Sequence, residues 1–165
     1  MTKTFQILFV CSGNVCRSPM AEAFLRARLP ERLRNSVRVV SAGTLGLFGN
    51  LASQEAIQVM SEKVIDIRNH ISRGVSEKLM NESDLILVMA PEHLEYLHKL
   101  YPNVRKNVFL LRRFDVPAQE RTEDTIQDPM GFGLDYYRTT RNAIEKEITR
   151  ILPRLVQMID RKINE

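Results

Sequence analysis

Residues Cys11 to Ser18 read Cys-Ser-Gly-Asn-Val-Cys-Arg-Ser, directly after the apolar run Phe5-Gln6-Ile7-Leu8-Phe9-Val10 and directly before Pro19 and a helical pattern. No other feature constrains the chain as much. The order predicts a strand, a tight loop and a helix, with a cysteine where the strand ends and an arginine where the helix begins. A loop in that position can aim several backbone N–H groups at one point. The aligned peptide dipoles of the helix add partial positive charge there, which makes an anion cradle. Gly13 is expected to supply the unusual backbone angles, and Pro19 fits a first helical turn. A thiol at the floor of such a cradle is expected to act as a thiolate, because cationic surroundings and a helix N-terminus stabilise that form. Arg17 can grip two oxygens of a phosphate-like group with its planar fork. A thiolate beneath a bound tetrahedral oxyanion is placed to attack phosphorus. A cysteine and an arginine six positions apart are, by themselves, more often a core thiol and a surface cation. The flanking strand and Pro19 are what turn the reading toward chemistry.

The rest of the chain repeats the strand and helix alternation. Apolar residues at Met20, Ala23, Phe24 and Ala27 mark a helix that Pro30 ends, and Val37-Arg38-Val39-Val40 reads as a second strand leaving through Ser41-Ala42-Gly43-Thr44. A loop is expected over 43–50, and helices over 53–60 and 76–80. Leu85-Ile86-Leu87-Val88 is a continuous apolar run, the pattern of a strand buried on both faces of a parallel sheet. A helix is expected from Pro91 to about Leu100, a fourth strand at Val108-Phe109-Leu110-Leu111, and a loop over 117–127 with Ile126 as its core residue. From Leu134 the apolar spacing of Ile144, Ile148, Ile151, Leu155 and Ile159 is helical, with a kink or split expected at Pro153. This alternation predicts an α/β fold: an open parallel sheet of about four strands with helices on both faces. In such sheets ligands sit beyond the C-terminal ends of the strands, where the Cys11 loop lies.

Composition narrows the class. At 165 residues the chain is expected to form one domain, residues 1–165, and 44% hydrophobic residues suffice for a core. The net charge of +4 suits an anionic substrate. Arg26, Arg28, Arg32 and Arg34 are spread along one segment without interleaved aromatics, so no nucleic-acid partner is expected. The two cysteines, Cys11 and Cys16, both lie in the loop, which is no disulfide framework. With no signal-like or membrane-spanning run, a cytoplasmic protein without a membrane partner is expected. His70, His93 and His98 make no metal-ligand spacing, so neither a metal nor a cofactor is expected.

A thiolate displacement leaves an oxygen that needs a proton. Asp128, in Asp128-Pro129-Met130-Gly131, is the candidate acid, held extended by the proline that follows it.

Taken together, the chain resembles a low-molecular-weight protein tyrosine phosphatase. The resemblance rests on residues 11–22, on Ser41-Ala42-Gly43-Thr44, on His70 with Arg73, on Asp84-Leu85-Ile86-Leu87 with Met89, and on Asp128-Pro129. It implies a four-stranded sheet of flavodoxin-like topology, no metal, and a protein-tyrosine-phosphatase that hydrolyses phosphotyrosine in a phosphorylated protein through a phosphocysteine. It also implies the roles. Cys11 is the nucleophile, Arg17 binds the phosphoryl group, and Asp128 is the general acid and then the base. Residues Ser12, Gly13, Asn14, Val15, Cys16, Arg17 and Ser18 cradle the phosphate, with Ser18 hydrogen-bonded to the thiolate. Asn14, Ser41 and His70 support the loop. Leu47, Phe48, Met130 and Phe132 are the expected substrate pocket. The chain departs from the family at Ala90, where Asp is frequent, and at Met130-Gly131, where tyrosines are frequent. An arginine-directed relative class lacks those tyrosines too, but favours Thr at the place of Val15. Arsenate reductases share the loop but use cysteines outside it, which this chain lacks, and a pure phosphate-binding module has no need of the acid.

Overall fold

In the computed structural model, which describes residues 2–120 and 123–165, four strands alternate with helices. The strands are β1 (Phe5–Cys11), β2 (Val37–Gly43), β3 (Leu85–Val88) and β4 (Val108–Leu110), and the helices are α1 (Arg17–Arg28), α2 (Gln54–Ser61), α3 (Glu77–Glu82), α4 (Pro91–Leu100) and α5 (Leu134–Asn164). All four strands pair in parallel in the order β2-β1-β3-β4. Every residue of β1 is buried, as a central strand of a covered sheet requires. Its alternate side chains divide between two cores. Phe5, Ile7, Phe9 and Cys11 join the side chains of α1, α2 and α5 on one face, and Leu8 and Val10 join those of α3 and α4 on the other.

The strand order has one functional consequence. From β1 the chain crosses to β2 on one side, and later returns to β3 on the other. Between β1 and β3 the connections leave in opposite directions, which opens a crevice at the C-terminal ends of those two strands. Cys11 ends β1 at that crevice, and the Met89-Ala90 step after β3 borders it, with Met89 N–H donating to Val10 O.

Most expected elements are present within one or two residues. Ser53 and Ser76 cap α2 and α3, accepting from Ala56 N and Leu79 N. Of the kink or split expected at Pro153, the split is absent: α5 runs as one helix of 31 residues through it. The proline lacks only one N–H donor, and Ile144, Ile148, Ile151, Leu155 and Ile159 on both sides of it are all buried, so packing of the apolar stripe holds the helix together. Of the loop expected over 117–127, residues 121 and 122 lie outside the described residues. Ile126 is fully buried, as expected.

Candidate active site

The loop between β1 and α1 is built by carbonyls turned outward. Cys11 O accepts from Thr44 N, Ser12 O from Leu45 N, Val15 O from Ser53 N and Cys16 O from Met20 N. His70 Nε2 donates to Asn14 O at 2.7 Å. Each peptide is trans, so the N–H on the far side of each of these carbonyls points the opposite way. The N–H groups of Ser12, Gly13, Val15, Cys16 and Arg17 therefore turn toward the concave side. The N-terminus of α1 adds to them: no side chain caps it, unlike the serine-capped ends of α2 and α3. Uncapped donors and the helix dipole together favour an anion at this point.

The residue that carries the unusual backbone angle is Asn14, with φ of 58°, and Gly13 lies outside the left-handed region. An asparagine tolerates this region, and here its side chain explains why it is Asn. Asn14 is fully buried. Its Nδ2 donates to Ser18 Oγ at 2.8 Å and to Ser41 Oγ at 2.9 Å, while its Oδ1 accepts from Arg73 N at 3.0 Å. Arg73 Nε in turn donates to Ser41 O at 3.1 Å. Because Ser18 Oγ already accepts from Asn14, its own hydrogen is free to point at Cys11 Sγ, 2.9 Å away. The network holding the loop thus ends in a donor aimed at the sulfur.

The glycine that the loop needs is Gly43, at the end of β2. A Cβ there would lie 2.5 Å from Ser12 O and 3.0 Å from both Asn14 N and Gly13 C, all of them backbone atoms. Gly43→Ala is therefore expected to push the loop off its place. The expected cost is about 1–3 kcal/mol in stability and roughly a hundredfold in turnover, because displacing a reacting group by about 1 Å costs that much. Urea denaturation and steady-state kinetics on the variant check both, and an alanine variant with wild-type turnover would remove this account of the loop.

Arg17 is buried, and its guanidinium ties the loop to the segment around residues 126–128. Nη1 donates to Ile126 O at 3.0 Å, and Nη2 lies 3.3 Å from Ser12 Oγ and 3.6 Å from Asp128 Oδ2. Asp128, more than a hundred residues away in sequence, thus reaches the mouth of the cradle. Its carboxylate is half exposed, and its other oxygen, Oδ1, accepts from Met130 N at 3.1 Å. Cys16 points away from this face: its sulfur meets Ser53 Oγ and Tyr137 OH, each at 3.4 Å. Burial raises its pKa above the ordinary thiol value, so it stays a protonated thiol at neutral pH.

Around the mouth, Val15 Cγ2 and Leu47 Cδ1 lie 3.6 and 3.7 Å from where a Cβ on Gly13 would sit, so these two side chains flank the loop. Met130 and Phe132 are exposed beside Asp128, and Phe132 stacks on Tyr136 with ring centroids 4.6 Å apart and planes 20° off parallel. Phe48 is 82% exposed and lines a different groove, about 840 Å³ in volume, together with Pro19, Glu22, Ile71 and Arg73. Glu22 lies in that groove near His70 and Arg73, its pKa raised by burial against the opposing pull of Arg26, His70 and Arg73.

Four partners of the site left no readable signal in the sequence. The carbonyl of Ile126 holds Arg17, Ser53 and Tyr137 hold Cys16, and His93 Nε2 lies 2.8 Å from Ser12 Oγ. Among the described residues no group of three or more His, Cys, Asp or Glu side chains could hold a metal ion, and no helix is long and apolar enough to cross a membrane.

Residues 6–164 match the sequence model described as low molecular weight phosphotyrosine protein phosphatase. The protein-arginine-phosphatase of Bacillus subtilis is 34% identical over 149 residues, covering 90% of this chain and 95% of that protein. The low molecular weight protein-tyrosine-phosphatase Wzb of Salmonella typhi is 38% identical over 144 residues, covering 87% and 85%. Among solved structures, the YwlE arginine phosphatase of Geobacillus stearothermophilus superposes with a TM-score of 0.82 at 33% identity, covering 93% of this chain and 94% of that one.

Proposed function

The chain belongs to the low molecular weight phosphotyrosine protein phosphatase family, and from that premise we propose that it hydrolyses phosphotyrosine in phosphorylated proteins through a phosphocysteine intermediate on Cys11. The observation that carries this reading is the convergence of Cys11, Arg17 and Asp128 on one cradle, with Ser18 aimed at the sulfur.

The chemistry follows from the placement. The loop N–H groups and the Arg17 fork hold the phosphoryl oxygens, and the charge that spreads over them in the transition state is met by donors already in position. The Cys11 sulfur forms a bond to phosphorus as the bond to the tyrosyl oxygen breaks. Asp128 gives that oxygen its proton, so a neutral phenol leaves. In the second half a water attacks phosphorus, Asp128 takes a proton from it, and the phosphorus–sulfur bond breaks. Inorganic phosphate and the starting thiolate result.

A second reading is hydrolysis of phosphoarginine by the same steps. The relatives named as arginine phosphatases favour it, as does the lack of tyrosines after Asp128-Pro129. Val15 favours the aryl substrate. Its methyls, beside Leu47, pack against a ring, whereas a guanidinium beside them loses water and gains no partner. Comparing kcat/KM for matched phosphotyrosine and phosphoarginine peptides decides between the two. The expected result is a preference for phosphotyrosine, and Val15→Thr is expected to move the ratio toward phosphoarginine by about 1 kcal/mol or more, roughly fivefold or greater. Faster hydrolysis of phosphoarginine by the unaltered protein would establish the second reading, with the rim around Met130 and Phe132 outweighing Val15.

A further inference from the structure

We propose that His93 is a positioning residue, which acts through the Ser12 hydroxyl to set the Arg17 fork on the phosphoryl-binding side of the cradle. This rests on the reading of the cradle as a phosphate site, and it names a group outside the loop that the site depends on.

The placement comes from topology. His93 is the third residue of α4, which starts just past β3 at the crevice between β1 and β3. It is 1% exposed. Its Nε2 lies 2.8 Å from Ser12 Oγ, and Ser12 Oγ lies 3.3 Å from Arg17 Nη2. The direction of this chain follows from the inventory of hydrogens. A guanidinium only donates, so Ser12 Oγ accepts from Arg17. The single hydroxyl hydrogen is then free for the imidazole, which accepts it at Nε2 when the ring is neutral with its hydrogen on Nδ1. Arg17 to Ser12 to His93 is thus one polarised relay of donors, and such chains strengthen their members.

Two further facts fit. His93 Nδ1 is buried with no hydrogen-bond partner among the described residues. An apolar side chain would fill this place without that cost, so packing alone does not account for a histidine here. The ring also stays neutral: burial first, and the Arg17 charge second, lower its pKa to about 4, with Glu92 and Asp128 pulling weakly the other way. Those three groups, from α1, α4 and the loop before α5, are the charged groups that act on it. The sign of the linkage is clear. A histidine whose folded pKa lies below its unfolded value near 6.5 gives full stability above about pH 6.5, lost as the pH falls toward 4. Protonation would also turn Nε2 into a donor and reverse the relay.

The test uses inorganic phosphate as the probe and reads binding rather than turnover. The phosphate concentration that half-protects Cys11 from alkylation by iodoacetamide is measured for the full chain and for Ser12→Ala, His93→Leu, the double variant and His93→Gln. The relay predicts that His93→Leu and Ser12→Ala each raise that concentration about tenfold, and that the double variant is no worse than either alone. His93→Gln, whose amide oxygen can accept from Ser12, is expected to recover most of the loss. Unchanged protection in His93→Leu alongside a lowered melting temperature would leave His93 a packing residue only, and additive losses in the double variant would also overturn the relay. Should His93→Leu not fold, ¹⁵N NMR of the unaltered imidazole decides. Hydrogen on Nδ1 supports the relay, and hydrogen on Nε2 overturns it. Turnover of an aryl phosphate by the unaltered protein is scored separately. A chain that binds phosphate but hydrolyses nothing would sink the phosphatase reading and leave the assignment of His93 standing.

Discussion

Cys11→Ser is expected to abolish hydrolysis of aryl phosphates, by at least about a thousandfold, while the protein stays folded. The change is nearly isosteric, and the surrounding hydrogen bonds survive it, since Ser18 Oγ and the Asn14 amide do not require sulfur. What is lost is the proposed nucleophile: a serine hydroxyl is a far weaker acid and a far poorer nucleophile at neutral pH than a cysteine sulfur. Cys16 is no substitute. Its sulfur faces Ser53 and Tyr137, and burial keeps its proton on. Steady-state kinetics with an aryl phosphate, beside a thermal melt, check this. Activity within about tenfold of the unaltered protein would mean that another group attacks phosphorus.

Asp128→Ala is expected to slow hydrolysis by roughly a hundred- to ten-thousandfold for poor leaving groups and much less for activated ones, because the acid matters most where the departing oxygen needs its proton. The geometry supports this pattern. Asp128 Oδ2 sits 3.6 Å from Arg17 Nη2, so the carboxyl lies at the edge of the oxyanion site while remaining half exposed to an incoming substrate. A series of aryl phosphates spanning leaving-group acidity reads it out as a steeper dependence in the variant. Equal losses across the series would transfer the role elsewhere. Asp124, the nearest carboxylate in sequence, is turned to Arg113 at 3.4 Å and is not placed for it.

These two residues differ in how they could be found. Cys11 and Arg17 belong to one local pattern, because strand, loop and helix are each set by residues a few positions apart. The parallel sheet was legible for the same reason: Leu85-Ile86-Leu87-Val88 and Phe5 to Val10 are buried runs bounded by turn residues, and their alternation with helical stripes leaves few topologies. Asp128 was readable only because Pro129 and the chemical need for an acid singled it out. At Pro153 the local rule allows a split, and the packing of five isoleucine and leucine side chains against the sheet keeps α5 in one piece.

By itself, then, the sequence determined the elements and the reactive loop, since both depend on neighbours along the chain. Beyond Asp128, Ser41 and His70, tertiary structure alone decided which distant groups complete the site. The order β2-β1-β3-β4 sets the end of β1 beside the start of α4, and so brings His93 to Ser12 across 81 positions. It places the Ile126 carbonyl on Arg17 and the Tyr137 hydroxyl on Cys16, pairings that no spacing encodes. It moved the strained backbone angle from Gly13 to Asn14, where three side-chain hydrogen bonds, to Ser18, Ser41 and Arg73, offset the strain. It also made Gly43, on a different strand, the glycine the loop needs. The physical reason is common to all of these: a buried polar group must find partners wherever the fold brings them, and backbone closeness between strands is a property of the sheet and not of the chain.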